Sequence, residues 1–238
     1  MKKFVAFLVF AMFSLCVGFI YSLPVGGTSV TAGTPVTLGT ISAGTASAWG
    51  GNITQVNLTI NSTTLHWQGF YGSTTASLRL AAGNDSNLST LKVWNVSTLV
   101  GQIYVSRSSN VDFTKLNSTS AALTDVDNAF SFLNGANDAA ASTGSDSSNP
   151  AFTVGQYQMY ANRYPLITTL DNSSGHSWKQ VITRHASTSS ATDFVFVGIL
   201  NNSGIAFNGD SANFQVIVPE NSAGDDSATT YYFYGEVQ

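Results

Sequence analysis

Short runs in which apolar and polar residues alternate dominate this chain. They recur about every ten residues and are separated by Gly, Asn, Asp and Ser, the spacing of a meander or sandwich. A period of two places alternate side chains on opposite faces of an extended strand, so such runs predict half-buried β-strands. In "NITQVNLTIN" (52–61), Val56, Leu58 and Ile60 fall on one face and Asn57 and Thr59 on the other. "TTLHWQGFYG" sets Leu65, Trp67 and Tyr71 against His66, Gln68 and Phe70. "TASLRLAA" points Leu78 and Leu80 inward and Arg79 outward. "LSTLKVWNV" and "LVGQIYVSR" read as two further strands joined through Ser97 and Thr98.

Strands resume in the second half with "AFTVGQYQMYA", "LITTL", "SWKQVITR", "DFVFVGILN", "NFQVIVP" and "TTYYFYGEV". "FVFVGIL" is continuously apolar, so both of its faces should be covered. A terminal strand as regular as "TTYYFYGEV" is expected to be docked. Between the two halves the period changes. In "STSAALTDVDNAFSFLNG", Leu123, Val126, Phe130 and Leu133 stand three or four apart, with Asp125 and Asp127 in the first turns and Gly135 beyond. That spacing predicts one amphipathic helix over 120–133; "ANDAAASTGSDSSNP" after it reads as a loop. The expected fold is therefore all-β, an antiparallel β-sandwich of jelly-roll type with one α-helix inserted near the middle. The expected organisation is a signal peptide or membrane anchor at 1–22, a flexible Gly/Thr/Ser-rich leader at 23–50 able to supply an extra strand, and a single domain at 51–238.

Charged residues make up 9% of the 238-residue chain, against roughly 25% in an average soluble domain. The formal net charge is −4, and no basic stretch is present. A phosphate-binding surface needs clustered Lys and Arg to release counterions, which argues against nucleic acid as a partner. The one cysteine, Cys16, lies within the N-terminal apolar run, so the rest of the chain has neither disulfide nor thiol chemistry.

"MKKFVAFLVFAMFSLCVGFIYSLP" places Lys2 and Lys3 before an apolar run from Phe4 to Tyr21, the layout of an export signal. Ser22 or Gly18 would be the last residue of a cleaved signal. Uncleaved, residues 4–21 reach the lower length limit of a membrane span and would anchor the chain with the remainder outside. Both fates put the folded part outside the membrane. Nine Asn-x-Ser/Thr sequons, at Asn52, Asn57, Asn61, Asn84, Asn87, Asn95, Asn117, Asn172 and Asn201, agree with export. Glycans there would hydrate a surface poor in charge.

The motifs of catalysis are few. No G-x-S-x-G elbow occurs, and the three histidines, His66, His176 and His185, are scattered. Glu220 and Glu236 are the only glutamates, and Asp85, Asp171, Asp210, Asp225 and Asp226 sit in turn-like contexts. The stretches 125–129, 144–149 and 220–226 could contribute oxygen ligands but do not follow a calcium-loop pattern, and zinc would need converging His, Cys or carboxylate ligands. The expectation is a protein without metal, cofactor or catalytic residues. Trp67, Gln68, Phe70 and Tyr71 are the candidate binding residues. Two readings of them are open: strand core, or an aromatic platform that stacks on a sugar ring.

Three landmarks carry a resemblance: "GNITQVNLTINSTTLHWQGFYGSTTASLRL", "VSRSSNVDFTKL" and "NFQVIVPENSAGDDSATTYYFYGEV". Together they resemble a family of exported archaeal cell-surface proteins that pairs a T-x-x-W-Q-G-[FY]-Y-G motif with a closing F-Q-x-x-V-P-E and Y-Y-F-Y strand. The likeness covers the chain from about residue 48 to its end. Its Trp-Gln-Gly motif falls on Trp67, Gln68, Gly69, Phe70, Tyr71 and Gly72. The resemblance implies a surface location and a β-rich fold, and no activity. The family's frequent mid-chain cysteine pair is missing here, so no disulfide is implied. The expected function is that of an archaeal cell-surface or envelope structural protein, N-glycosylated and acting through contacts with other surface proteins or with itself. A version of it lets the leader add as a strand to a neighbour's open sheet edge. The alternative is a carbohydrate- or ligand-binding module that uses Tyr71, Phe70, Trp94 or Tyr104.

Overall fold

A computed structural model describes residues 23–27, 29–34, 44–60, 62–82, 89–96, 100–116, 121–170, 177–188, 190–220 and 228–237. The expected export segment, residues 1–22, and residues 28 and 35–43 of the expected leader lie outside them. Among the described residues no helix is long and apolar enough to cross a membrane.

The architecture is all-β with short helical turns. Its centre is a six-stranded antiparallel sheet built from β1 (Val25–Gly26), β5 (Gly101–Ser106), β8 (Leu166–Leu170), β9 (Ser177–Arg184), β10 (Phe194–Ile199) and β14 (Tyr232–Val237). The strand order is β1-β14-β5-β10-β9-β8. As its continuous apolar sequence requires, β10 is covered on both faces: Phe194, Val195, Phe196 and Val197 are all fully buried. The C-terminal strand is docked between β5 and β1. Val25 and Gly26, at the start of the expected leader, pair with Gly235 and Tyr234 of the chain's own sheet.

One face of the sheet carries Ile103, Val105, Ile182, Phe194 and Phe196. Against it pack α1 (Leu123–Ala129), α2 (Ala140–Thr143) and a two-stranded ribbon of β2 (Trp67–Gly72) and β13 (Phe214–Pro219). The other face carries Tyr104, Val181, Val195 and Val197. It is covered by a 3-10 turn (Phe113–Lys115) and by the hairpin of β6 (Phe152–Val154) and β7 (Tyr157–Met159). A short pair, β11 (Gly204–Ile205) and β12 (Ser211–Ala212), packs on Trp178. β3 (Ser77–Ala82) pairs with β4 (Ser89–Asn95). The layer facing the sheet is thus a ribbon plus helices, and a second full sheet of a sandwich is not seen among the described residues.

Several expectations are corrected. "NITQVNLTIN" forms no strand: residues 52–60 have no ladder partner, and Ile53, Val56, Leu58 and Ile60 are exposed. Leu78 and Leu80 do not point into a core either, because both faces of the β3–β4 hairpin lie in solvent. β4 pairs with β3, while β5 pairs with β10 and β14, so β4 and β5 are not neighbours. "AFTVGQYQMYA" is split into β6 and β7 by Gly155, whose φ of +55° suits glycine.

The helix is shorter than its sequence period suggests. Phe130 and Phe132 are both buried while Leu133 is exposed. Residues two apart lie about 200° apart around a helix, so one helix cannot bury both phenylalanines on one face. The chain solves this by stopping at Ala129 and turning through Ser131 at φ +57°. A second helix, α2, stands where a loop was expected. Its N-terminal amides, which have no partner within the helix, are bound by the Asp127 carboxylate, which accepts from Ala140 N at 2.6 Å and Ala141 N at 3.2 Å. Asp125 likewise accepts from Ala122 N, and Asp146 from Leu123 N, each at 3.0 Å. These acids cap helices.

Candidate functional site

β2 carries the candidate binding residues, and its pairing with β13 decides which way each one faces. The ladder sets Gln68, Phe70 and Gly72 opposite Val218, Val216 and Phe214, and sets Trp67, Gly69 and Tyr71 opposite Pro219, Ile217 and Gln215. Val216 and Val218 are core residues, so Phe70 turns inward with them and meets the Phe233 ring edge-on at 5.2 Å. Tyr71 is 40% exposed and Leu65 is exposed as well. Of the apolar face expected from Leu65, Trp67 and Tyr71, only Trp67 packs against the core. Gln68 is exposed and folds its amide back onto the Gly69 carbonyl at 2.7 Å. Among the described residues nothing lies within 4 Å of where a Cβ on Gly69 would stand; at Gly72 the Phe214 ring lies 3.5 Å from that point.

Trp67 is half-buried on the Phe132 ring at 5.3 Å, and its indole N–H donates to the Asp138 carbonyl at 2.7 Å. The Asp138 carboxylate gathers two more groups from the start of the strand. His66 Nδ1 lies 2.9 Å from Oδ2, and Thr64 Oγ1 donates to the same oxygen. Those two hydrogen bonds, Thr64 first, hold the Asp138 carboxyl below its ordinary range. His66 also meets Phe132 edge-on. Asp138 lies 72 residues from His66 in a stretch that reads as a loop, so no local pattern in the sequence joins them.

A carboxylate on Nδ1 orients an imidazole as an acid–base group would need. The nearby hydroxyl, Thr64, donates to the carboxylate, which does not align it as a nucleophile. His66 and Asp138 each keep about a third of their side-chain surface in solvent. His185 is elsewhere, with Nδ1 accepting from Asp112 N and Nε2 beside the Thr192 carbonyl. His176 lies outside the described residues. Among the described residues no three His, Cys, Asp or Glu side chains group as metal ligands. The arrangement at Asp138 works as a latch holding the start of β2.

Of the four aromatics considered for stacking, Tyr104 is fully buried and Phe70 half-buried, while Tyr71 and Trp94 are exposed. Tyr71 stands at 89° to the Phe207 ring, and its hydroxyl accepts from Asn208 Nδ2 at 3.0 Å. Asn208 also donates to Asp210 at 2.6 Å, inside the turn expected around that aspartate. Four sequon asparagines, Asn52, Asn57, Asn95 and Asn201, are described, and all are exposed. Asn61, Asn84, Asn87, Asn117 and Asn172 lie outside the described residues, as do Asp85, Asp171, Asp225 and Asp226.

Exposed large apolar side chains cluster in sequence on either side of β2. Ile53, Val56, Leu58 and Ile60 precede it, and Leu78, Leu80, Leu91, Val93 and Trp94 follow it. Comparison with known proteins finds no family model, no curated protein and no solved structure that matches the chain.

Proposed function

We propose that this is an exported archaeal cell-surface structural protein, N-glycosylated and acting through protein–protein contacts. One observation carries the reading: eleven large apolar side chains from Ile53 to Trp94 face solvent on sequence of strand-like alternation. Surface of that extent and kind is what an interaction site presents. The charge-then-apolar N-terminus, the exposed sequons and the resemblance to exported archaeal surface proteins support the location. Residues 4–21 would touch the membrane if they are retained. Catalysis, metals and cofactors form no part of the proposal. The test is surface biotinylation of intact cells together with intact mass of the recovered protein. Labelling and a mass above that of the peptide are expected; an unlabelled, unmodified protein recovered from inside the cells would overturn the reading.

A second reading keeps a carbohydrate- or ligand-binding module at Tyr71. The exposed Tyr71–Phe207 pair beside Asn208 and Asp210 favours it, because a ring next to polar groups suits a sugar. The two rings are perpendicular, so they offer one stacking surface and not a platform. Loss of glycan retention in Tyr71→Ala, with folding unchanged, would support this reading; an absence of retention by the unsubstituted protein would end it.

A further inference from the structure

We propose that the partner is a second copy of this chain, and that residues 54–60 of one copy add as a third strand to the β3–β4 hairpin of the next. This rests on the reading of the protein as one that acts through protein contacts.

Each half lacks what the other supplies. Residues 54–60 alternate as a strand does, carry no charge and have no backbone ladder. β3 and β4 form a hairpin whose described side chains are all exposed. An isolated two-stranded hairpin is marginal in water, and three strands with one apolar face are the smallest stable unit. The ladder puts Leu78 and Leu80 opposite Trp94 and Lys92, which gives that face three apolar side chains. The exposed apolar side chains of donor and hairpin together present on the order of 1,000 Å2, below the roughly 1,600 Å2 total of a standard interface, so the backbone ladder has to supply the rest of the joint.

The sequons agree with this pairing. Asn95 lies on the hairpin face opposite Leu78, Leu80 and Trp94, since it alternates with Trp94 and pairs with Ser77. Asn57 lies on the polar face of the donor, opposite Val56, Leu58 and Ile60. Adding the donor with its apolar face beside Leu78 and Trp94 puts Asn57 and Asn95 together on the other, wet face. Glycans at both positions are compatible with the joint.

β2 sets where donor and acceptor leave the fold. The chain enters β2 at the Asp138 latch, where Thr64 and His66 are held, with Glu220 N donating to the His66 carbonyl at 2.8 Å. It leaves β2 at Asn213, which accepts from Thr74 N at 2.7 Å and donates to the Thr74 carbonyl at 3.2 Å. A six-residue strand separates these points by about 20 Å. Donor and acceptor thus leave from opposite ends of a fixed strand. A head-to-tail contact of this kind propagates into an open chain of subunits unless its rotation closes a ring.

The test uses the exported full chain, with size-exclusion and light scattering. Leu58→Asp removes the donor and Leu80→Asp the acceptor. Both side chains are exposed, at 74% and 52%, so folding should persist, and far-UV circular dichroism checks it. Leu170→Asp, at an exposed site on β8, is the control. The unsubstituted protein and the control should form large assemblies, and each donor or acceptor variant should be monomeric. An equal mixture of Leu58→Asp and Leu80→Asp should give dimers that do not grow, because one intact donor meets one intact acceptor. A monomeric unsubstituted protein, assembly of either variant alone, or a mixture that stays monomeric would each refute the pairing. Surface labelling reports separately on location, so a surface-exposed monomer would sink this inference alone.

Discussion

Gln180 pairs with the backbone of Ile217 as if it were a strand. Its amide donates to the Ile217 carbonyl and accepts from the Ile217 N–H, both at 2.7 Å. β13 is laddered to β2 on one side only, and this side chain from β9 satisfies its other edge. Gln215 adds to the tie by donating to Thr169 Oγ1 and the Leu170 carbonyl. The ribbon carrying the "WQGFYG" strand is therefore fastened to the sheet by side-chain amides as well as by apolar packing.

Gln180→Leu should be destabilising. It would strand a buried N–H and C=O together, at a cost of about 2–3 kcal/mol. Denaturant unfolding measures the loss. A change within a few tenths of a kcal/mol would mean that water replaces the amide.

Gly198 lies where β10 passes beneath the ribbon. A Cβ there would stand 2.5 Å from Val216 Cγ1. Gly198→Ala should cost about 1–3 kcal/mol through overpacking. Gly198→Ala combined with Val216→Ala should recover part of it, and the same unfolding measurement reads both.

The Glu236 carboxylate accepts from Tyr104 OH at 2.6 Å and from Gly155 N at 2.7 Å, inside the protein. Burial first, then the Glu236 charge, push the Tyr104 hydroxyl well above its usual 10.0. A raised value means that the folded state holds its proton where the unfolded state has lost it. The contribution is therefore full below pH 10 and is lost as pH rises from there towards the folded value. Tyr104→Phe should lower stability by about 1–3 kcal/mol at neutral pH and flatten the alkaline decline, which unfolding at a series of alkaline pH values checks.

The Asp138 latch should respond to acid. Its carboxyl is depressed by Thr64 and then His66, so its contribution is present above the unfolded value of 3.8 and is lost as pH falls through the lower folded one. Solvent around the group keeps the effect small, about 1 kcal/mol or less. Asp138→Asn should remove that acid dependence and change the fluorescence of Trp67, whose indole is tied to the same residue.

The sequence by itself determined the β class, the burial of "FVFVGIL" and the docking of the last strand. Each is dictated by side-chain pattern, since a continuously apolar strand is stable only when covered on both faces. It also picked out Trp67, Gln68, Phe70 and Tyr71 as neighbours on one strand. The alternation in "NITQVNLTIN" is as regular as any other in the chain, yet residues 52–60 lie unpaired in solvent. Alternation is local and states only that a segment is able to pair; a ladder also needs a partner edge, which only the tertiary structure supplies or withholds. The same limit hid which way Tyr71 faces, since that depends on β13, some 140 residues away. It hid Asp138, which lies 72 residues from His66 and meets it only in the folded chain. The short helix followed likewise from the core's demand for both Phe130 and Phe132, a demand that no helical period encodes.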